Sequence, residues 1–278
     1  MPFTQNQGAK IYWDEQGEGS PLLLIMGLGW TSHMWYRSRP VLARNFRTIA
    51  FDNRGVGESD VPRGPYSISL MASDAAAVLT ASGVEGAHIC GLSMGGMIAQ
   101  EFALQYPARV RSLILGSTAP GGPHAVRAER EVLDLLLAPR GNPEELARAI
   151  YPYIYDSHTS DARKEEDLAV RRPWFPTIEG YLAQLQGIMA WEAYGRLPEI
   201  AAPTLVIHGE TDRLVPPENG RKIAARIPNA KLEMIPHASH IFSTDQPEAS
   251  HRAMLEFLAA HANDPRPLEG GAMRSASH

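Results

Sequence analysis

The chain has one cysteine, Cys90, among its 278 residues, so it can form no internal disulfide. That usage fits a reducing compartment. Long hydrophobic runs are also missing. The longest apolar stretch, Pro21 to Trp30, contains two glycines and is about half the roughly 20 residues a membrane helix needs. The first ten residues carry no basic segment leading into an apolar one, so a secretory signal is not expected. There is no excess of positive charge either. Lys and Arg number 26 against 31 Asp and Glu, a formal net charge of −5, and no stretch gathers the basic residues on one face. Binding to a phosphate backbone feeds on basic surface, which excludes nucleic acid as a partner. These absences together predict a soluble cytoplasmic protein without a membrane partner.

What is present is the composition of an ordinary globular chain, 44% hydrophobic and 21% charged, enough apolar material for a large core. Short β-rich runs alternate with helical patterns. Ala9–Glu15, Leu22–Met26, Thr48–Phe51, Ala87–Cys90, Ser112–Leu115, Thr204–His208 and Lys231–Ile235 read as strands. Helices are expected from Ser69, as the cap, to Ser82-Gly83, from Ser93 to Tyr106, over Glu218–Arg226, and from Gln246 to about His261. Strands alternating with crossover helices call for a mostly parallel sheet covered on both faces, a doubly wound α/β architecture.

That rhythm stops between about Pro120 and Pro198. The segment reads as helices over Val126–Leu137, Pro143–Tyr151, Asp161–Arg171 and Ile178–Trp191, with no strand among them. About 80 residues is small for an independent domain, so this insert is expected to cap the carboxyl edge of the sheet. The expected division is a core of residues 1–119 and 199–262, an all-helical cap of 120–198, and a disordered tail of 263–278, rich in Gly, Pro, Ser and Ala.

The sharpest local signal is Gly91-Leu92-Ser93-Met94-Gly95-Gly96, set between an apolar strand and a helix. A serine in so tight a turn projects its hydroxyl away from the sheet, and the glycines avoid collisions that a side chain would cause. The following helix aims its free amides at the same point. A phosphate-binding glycine turn is the bland alternative, but no Lys follows the glycines. A serine hydroxyl needs a base and an orienting acid to act as a nucleophile. Asp212 and His240 each lie on a loop that follows a strand, with Glu210 and His237 as the respective rivals. His208, within an apolar strand, reads as a packed core histidine. No metal-ligand spacing and no nucleotide fingerprint appears, so neither a metal nor a cofactor is expected.

These blocks, with Leu22–Trp35 and Phe51-Asp52-Asn53-Arg54-Gly55-Val56-Gly57-Glu58-Ser59, resemble the α/β-hydrolase superfamily over nearly the whole chain up to about residue 262. The stretches Ser59–Tyr66 and Cys90–Met97 are further similar to 3-oxoadipate enol-lactonases and small-ester hydrolases. The resemblance implies Ser93 as nucleophile, Asp212 as acid and His240 as base, with the backbone amides of Leu28 and Met94 as the oxyanion hole. It also implies that the Asp52–Ser59 block is a scaffold loop. Where many members carry His-Gly, this chain has Met26-Gly27; the change removes a side chain beside the oxyanion loop without removing a donor.

The implied activity is hydrolysis of a small-molecule carboxylic ester, or a lactone, through an acyl-enzyme. Cleavage of a C–C bond in a β-diketone-like substrate by the same residues is an alternative, and a ligand receptor that retains the triad is another. Trp30 and Trp191 are the expected walls of an apolar pocket. A dicarboxylate substrate would need a cationic anchor, for which Arg171, Arg172 and Arg196 are candidates.

Overall fold

The computed structural model describes residues 2–137 and 141–262; the expected tail, 263–278, lies outside them. Eight strands form one sheet: β1 (Phe3–Asn6), β2 (Ala9–Gln16), β3 (Ser20–Ile25), β4 (Phe46–Phe51), β5 (Ala87–Leu92), β6 (Val110–Gly116), β7 (Thr204–Gly209) and β8 (Lys231–Ile235). Their order is β1-β2-β4-β3-β5-β6-β7-β8. The pairs β1–β2 and β2–β4 are antiparallel and the other neighbours are parallel. This is the doubly wound, mostly parallel α/β architecture anticipated from the strand rhythm.

The period of two along β3 explains why the sheet is covered on both sides. Leu23 and Ile25 enter one apolar cluster with Ile68, Met71, Ile98 and Phe102. Leu22 and Leu24 enter the opposite one with Leu42, Phe46, Met254 and Leu258. Alternate side chains of a strand point to opposite faces, so a run without polar interruption needs helices on both. Ile68–Ala81 and Met94–Gln105 cover the first face, and Pro247–His261 covers the second. No helix among the described residues is long and apolar enough to cross a membrane.

Two local expectations are corrected. The helix expected from Ser69 begins at Ile68, and its cap is Ser67, whose hydroxyl accepts the Leu70 amide at 3.0 Å. The strand β1 was not expected at all. Its residues alternate between exposed and half-buried, so it carries no apolar run to announce itself, and the two-residue turn at Gln7-Gly8 folds it onto β2.

Between β6 and β7 lie helices Arg130–Leu137, Pro143–Ala149, Tyr151–Ile154, Asp161–Arg171 and Ile178–Ala190. The loop from Asp52 to Ser59 braces this region and the sheet together. Asp52 accepts the amides of Ser32 at 2.7 Å and Glu58 at 2.9 Å, and Asn53 donates to the Met26 carbonyl at 2.9 Å. Arg54 forms a buried two-pronged pair with Asp74, both bonds at 2.6 Å. Asn53 Oδ1 is the one buried polar side-chain atom of this loop without a hydrogen-bond partner among the described residues.

Candidate active site

Strand β5 ends at Leu92 and the next helix starts at Met94, which leaves Ser93 alone to make the turn. Its backbone pays for this sharpness with a left-handed φ of 58°, a region that costs L-residues about 1–2 kcal/mol. The turn is held from both sides. The Ser93 amide donates to the Gly116 carbonyl at 2.9 Å, and the Ser93 carbonyl accepts the Thr118 hydroxyl at 2.7 Å. A side chain at Gly91 would strike the backbone of Gly95, and one at Gly95 would strike the backbone of Ile25. Gly27 packs against the serine itself, where a Cβ would lie 3.0 Å from that of Ser93.

The loop after β7 carries Asp212 and the loop after β8 carries His240. Asp212 Oδ2 lies 2.9 Å from His240 Nδ1, while its Oδ1 accepts the amides of Leu214 at 3.0 Å and Val215 at 2.8 Å. Burial alone would raise the Asp212 pKa. The His240 and His208 rings outweigh it and hold the carboxyl down at about 2. The ionised carboxylate therefore accepts from His240 Nδ1 and leaves Nε2 outside the pair. The two loops are tied directly, the Thr211 amide donating to the Ala238 carbonyl at 2.9 Å. Asp245 accepts the Ser239 amide at 2.7 Å and fixes the residue before His240.

Ser93, His240, Leu28, Met94 and Trp30 border one cavity of about 370 Å³. Asp212 stands behind His240 and does not line it. Ser93 and His240 meet across this space without a direct hydrogen bond. Met94 opens its helix, so its amide has no partner within the helix. The Leu28 loop is braced on both sides. The Met26 carbonyl accepts Asn53, and the Gly29 amide donates to Gln184 Oε1 at 2.9 Å. Gln184 in turn donates to the Arg54 carbonyl at 2.8 Å. The loop that lacks the usual histidine is thus supported by an amide side chain 155 residues away in sequence. Nothing in the local pattern around Gln184 signals this role.

Several sequence expectations are revised by position. Trp191 is not a wall residue: it is buried away from the cavity, its indole Nε1 donating to Glu101 Oε2 at 2.8 Å. The indole needs a hydrogen-bond partner when buried, and Glu101, also paired with Arg196, supplies one. Glu210 and His237, the rival acid and base, are both exposed and lie off the cavity. His208 is buried as expected, but it also touches the acid: Nε2 is 2.8 Å from the Val215 carbonyl and 3.3 Å from Asp212 Oδ2. One group among the described residues could hold a metal, Asp156, His158 and His237, whose ligand atoms all lie within 4.8 Å of one another. It is outside the cavity, and Asp156 is engaged by His158 at 2.7 Å and by the Thr211 hydroxyl at 2.8 Å.

A strained serine on a strand-to-helix turn, backed by a buried histidine–carboxylate pair on the next loops, is the arrangement of α/β hydrolases. The family model for the alpha/beta hydrolase fold matches residues 20–247, and the chain belongs to that family. Among its relatives, a protein of Azorhizobium caulinodans named as a carbamate hydrolase is 33% identical over 260 residues, covering 92% of this chain and 98% of that one. A poly(3-hydroxyalkanoate) depolymerase of Ectopseudomonas oleovorans is 33% identical over 261 residues, covering 91% and 90%. Of solved structures, the enol-lactonase of Burkholderia xenovorans LB400 is similar with a TM-score of 0.83 at 26% identity, covering 93% of this chain and all of that one.

Proposed function

We propose that the protein is a serine hydrolase that cleaves small carboxylic esters, lactones included, through an acyl-enzyme. The observation that carries this reading is the 2.9 Å contact between Asp212 and His240 beside the left-handed Ser93, with base and serine opening onto one cavity. Substrate seating brings the Ser93 hydroxyl into hydrogen-bond reach of His240 Nε2, a contact that commonly tightens only in the complex. His240 takes the hydroxyl proton as Ser93 Oγ attacks the carbonyl carbon. Asp212 steadies the resulting imidazolium. The Leu28 and Met94 amides receive the oxyanion, each donor worth about 3–4 kcal/mol in the transition state. His240 then protonates the departing alcohol, and water repeats the sequence to release the acid.

Residues 120–198 act as the cap in this reading, since Tyr181, Leu185 and Ile188 border the same cavity as Ser93. Trp30 forms part of its wall, and the apolar lining favours a hydrophobic acyl or alcohol group. The same acyl-transfer chemistry extends to the carbamate and polyester bonds for which two relatives are named. Turnover of 4-nitrophenyl butyrate tests the reading: wild type hydrolyses it, and Ser93→Ala, with an unchanged melting temperature, loses at least 10³-fold in kcat/KM (an order-of-magnitude figure for loss of a triad member). Equal rates in the two proteins would refute it.

A further inference from the structure

The loop between helices Tyr151–Ile154 and Asp161–Arg171 lies against the loops that carry Asp212 and His240. The Asp156 carboxylate is buried there. Its Oδ2 accepts the Thr211 hydroxyl at 2.8 Å, and the Asp156 amide donates to Asp245 at 3.2 Å. Towards solvent, the rings of His158 and His237 meet edge to face with centroids 5.3 Å apart. One ligand atom from each of Asp156, His158 and His237 lies within 4.8 Å of the other two. His237 takes its place with a left-handed φ of 53°, and Gln246 holds its carbonyl with a 3.2 Å hydrogen bond.

The charge around this group points to a cation. Asp156 and Asp245 are two buried carboxylates in adjacent positions. Among the described residues, the only ion pair made by either is that of Asp156 with His158 at 2.7 Å. Arg163 reaches the same corner but donates to the backbone carbonyls of Thr244 and Asp245. His158 offsets the charge of Asp156 only while it is protonated. Buried negative charge without a fixed counter-charge is costly, and a bound cation would offset it.

The donor set selects the cation. Two imidazoles with one carboxylate suit zinc and its neighbours among the divalent transition metals, whereas magnesium and calcium take oxygen donors. Tetrahedral zinc bonds of about 2.0–2.2 Å place ligand atoms about 3.4 Å apart, so the group closes by about 1.4 Å at most. The His158 side chain is 74% exposed and can supply that movement by rotation. The metal replaces the His158–Asp156 hydrogen bond, and the ring proton stays on the other nitrogen.

We infer that Asp156, His158 and His237 bind one divalent transition-metal ion of the zinc class, with water completing its coordination. The ion clamps the loop at Asp156 to the loop that runs from His237 into His240. None of the three ligands lines the Ser93 cavity, so the inference stands apart from the hydrolase reading.

Zinc titration of the full chain, first treated with EDTA and dialysed, tests the site by calorimetry and by melting temperature. The expected result is one Zn2+ per chain with a dissociation constant tighter than about 100 µM. At a hundredfold excess over that constant the melting temperature rises by about 5 °C. His158→Ala and His237→Ala, both at exposed positions, each weaken binding by about tenfold or more and remove the rise. Mg2+ in place of zinc gives no rise. Binding weaker than about 100 µM, unchanged zinc affinity in either histidine variant, or an equal response to Mg2+ would each overturn the site. Either variant alone decides if the other fails to fold.

Discussion

Gln184 and Gly29 are joined by a 2.9 Å hydrogen bond that ties a helix between β6 and β7 to the loop after β3. Gly29 has a left-handed φ of 69° and follows the residue whose amide is proposed to meet the oxyanion. Gln184 is fully buried, and its own amide donates to Arg54, so both of its ends are committed. A loop without the usual histidine thus has its shape set by the helix Ile178–Ala190.

Gln184→Leu should consequently lower kcat by about 10- to 100-fold while changing KM little, because a misplaced donor weakens only the transition state. The buried Gly29 amide loses its acceptor, which should cost about 1–3 kcal/mol in urea unfolding. Gln184→Glu restores an acceptor and should recover part of kcat. A KM effect with kcat intact would show that Gln184 contacts substrate and does not position the loop.

Asp212 makes stability depend on pH in a stated direction. Its folded pKa, about 2, lies below the ordinary value of 3.8. The native state therefore favours the ionised form, and that stabilisation is full above about pH 4 and fades as pH falls towards 2. Between pH 5 and pH 3 the wild type should lose about 1 kcal/mol of unfolding free energy that Asp212→Asn does not lose. Equal losses in the two proteins would remove the buried ionised pair from the account. The same substitution should cut kcat by about 10⁴, since the amide no longer fixes the His240 tautomer.

Glycines offer a controlled contrast in the turn. A Cβ at Gly95 meets the backbone of Ile25 and has nowhere to go, whereas one at Gly8 has open space although φ is +80°. Gly8→Ala should cost about 1 kcal/mol from backbone strain alone. Gly95→Ala should cost several times that, on the order of 3 kcal/mol or more, and abolish activity by shifting Ser93. Similar unfolding midpoints for the two variants would contradict this geometry.

Trp30 and Trp191 should divide between binding and stability. Trp191→Phe orphans Glu101 Oε2 from the indole donor and should lower stability by about 1–2 kcal/mol with KM unchanged. Trp30→Ala opens the cavity wall and removes one face of the Arg171 stack, so it should raise KM for apolar esters several-fold. The melting temperature and the KM of each variant check the division.

These two tryptophans also mark where sequence reasoning stops. Strands such as Leu22–Met26 and Thr204–His208 are legible because sheet burial on both faces forces apolar runs, and the Ser93 turn is legible because steric crowding demands its glycines. Asp212 and His240 were placed on loops by spacing after strands, a local pattern. Trp191, Gln184 and the His208 contact to the acid depend on which helix faces which loop, and that is settled by packing between segments far apart in the chain. Arg171 is the clearest case: its identity as an unpaired cation depends on Asp167 being occupied by Tyr36, Arg37, Tyr155 and Thr244, which no single-segment pattern encodes.

The most direct test of the central claim is the intact mass of the protein quenched within milliseconds of mixing with an activated ester such as 4-nitrophenyl butyrate. The account predicts one butyryl group per chain, located on the Ser93 peptide, accumulating in Asp212→Asn as deacylation slows, and missing from Ser93→Ala. An adduct on another side chain, or nitrophenol release by Ser93→Ala at the wild-type rate, would contradict it.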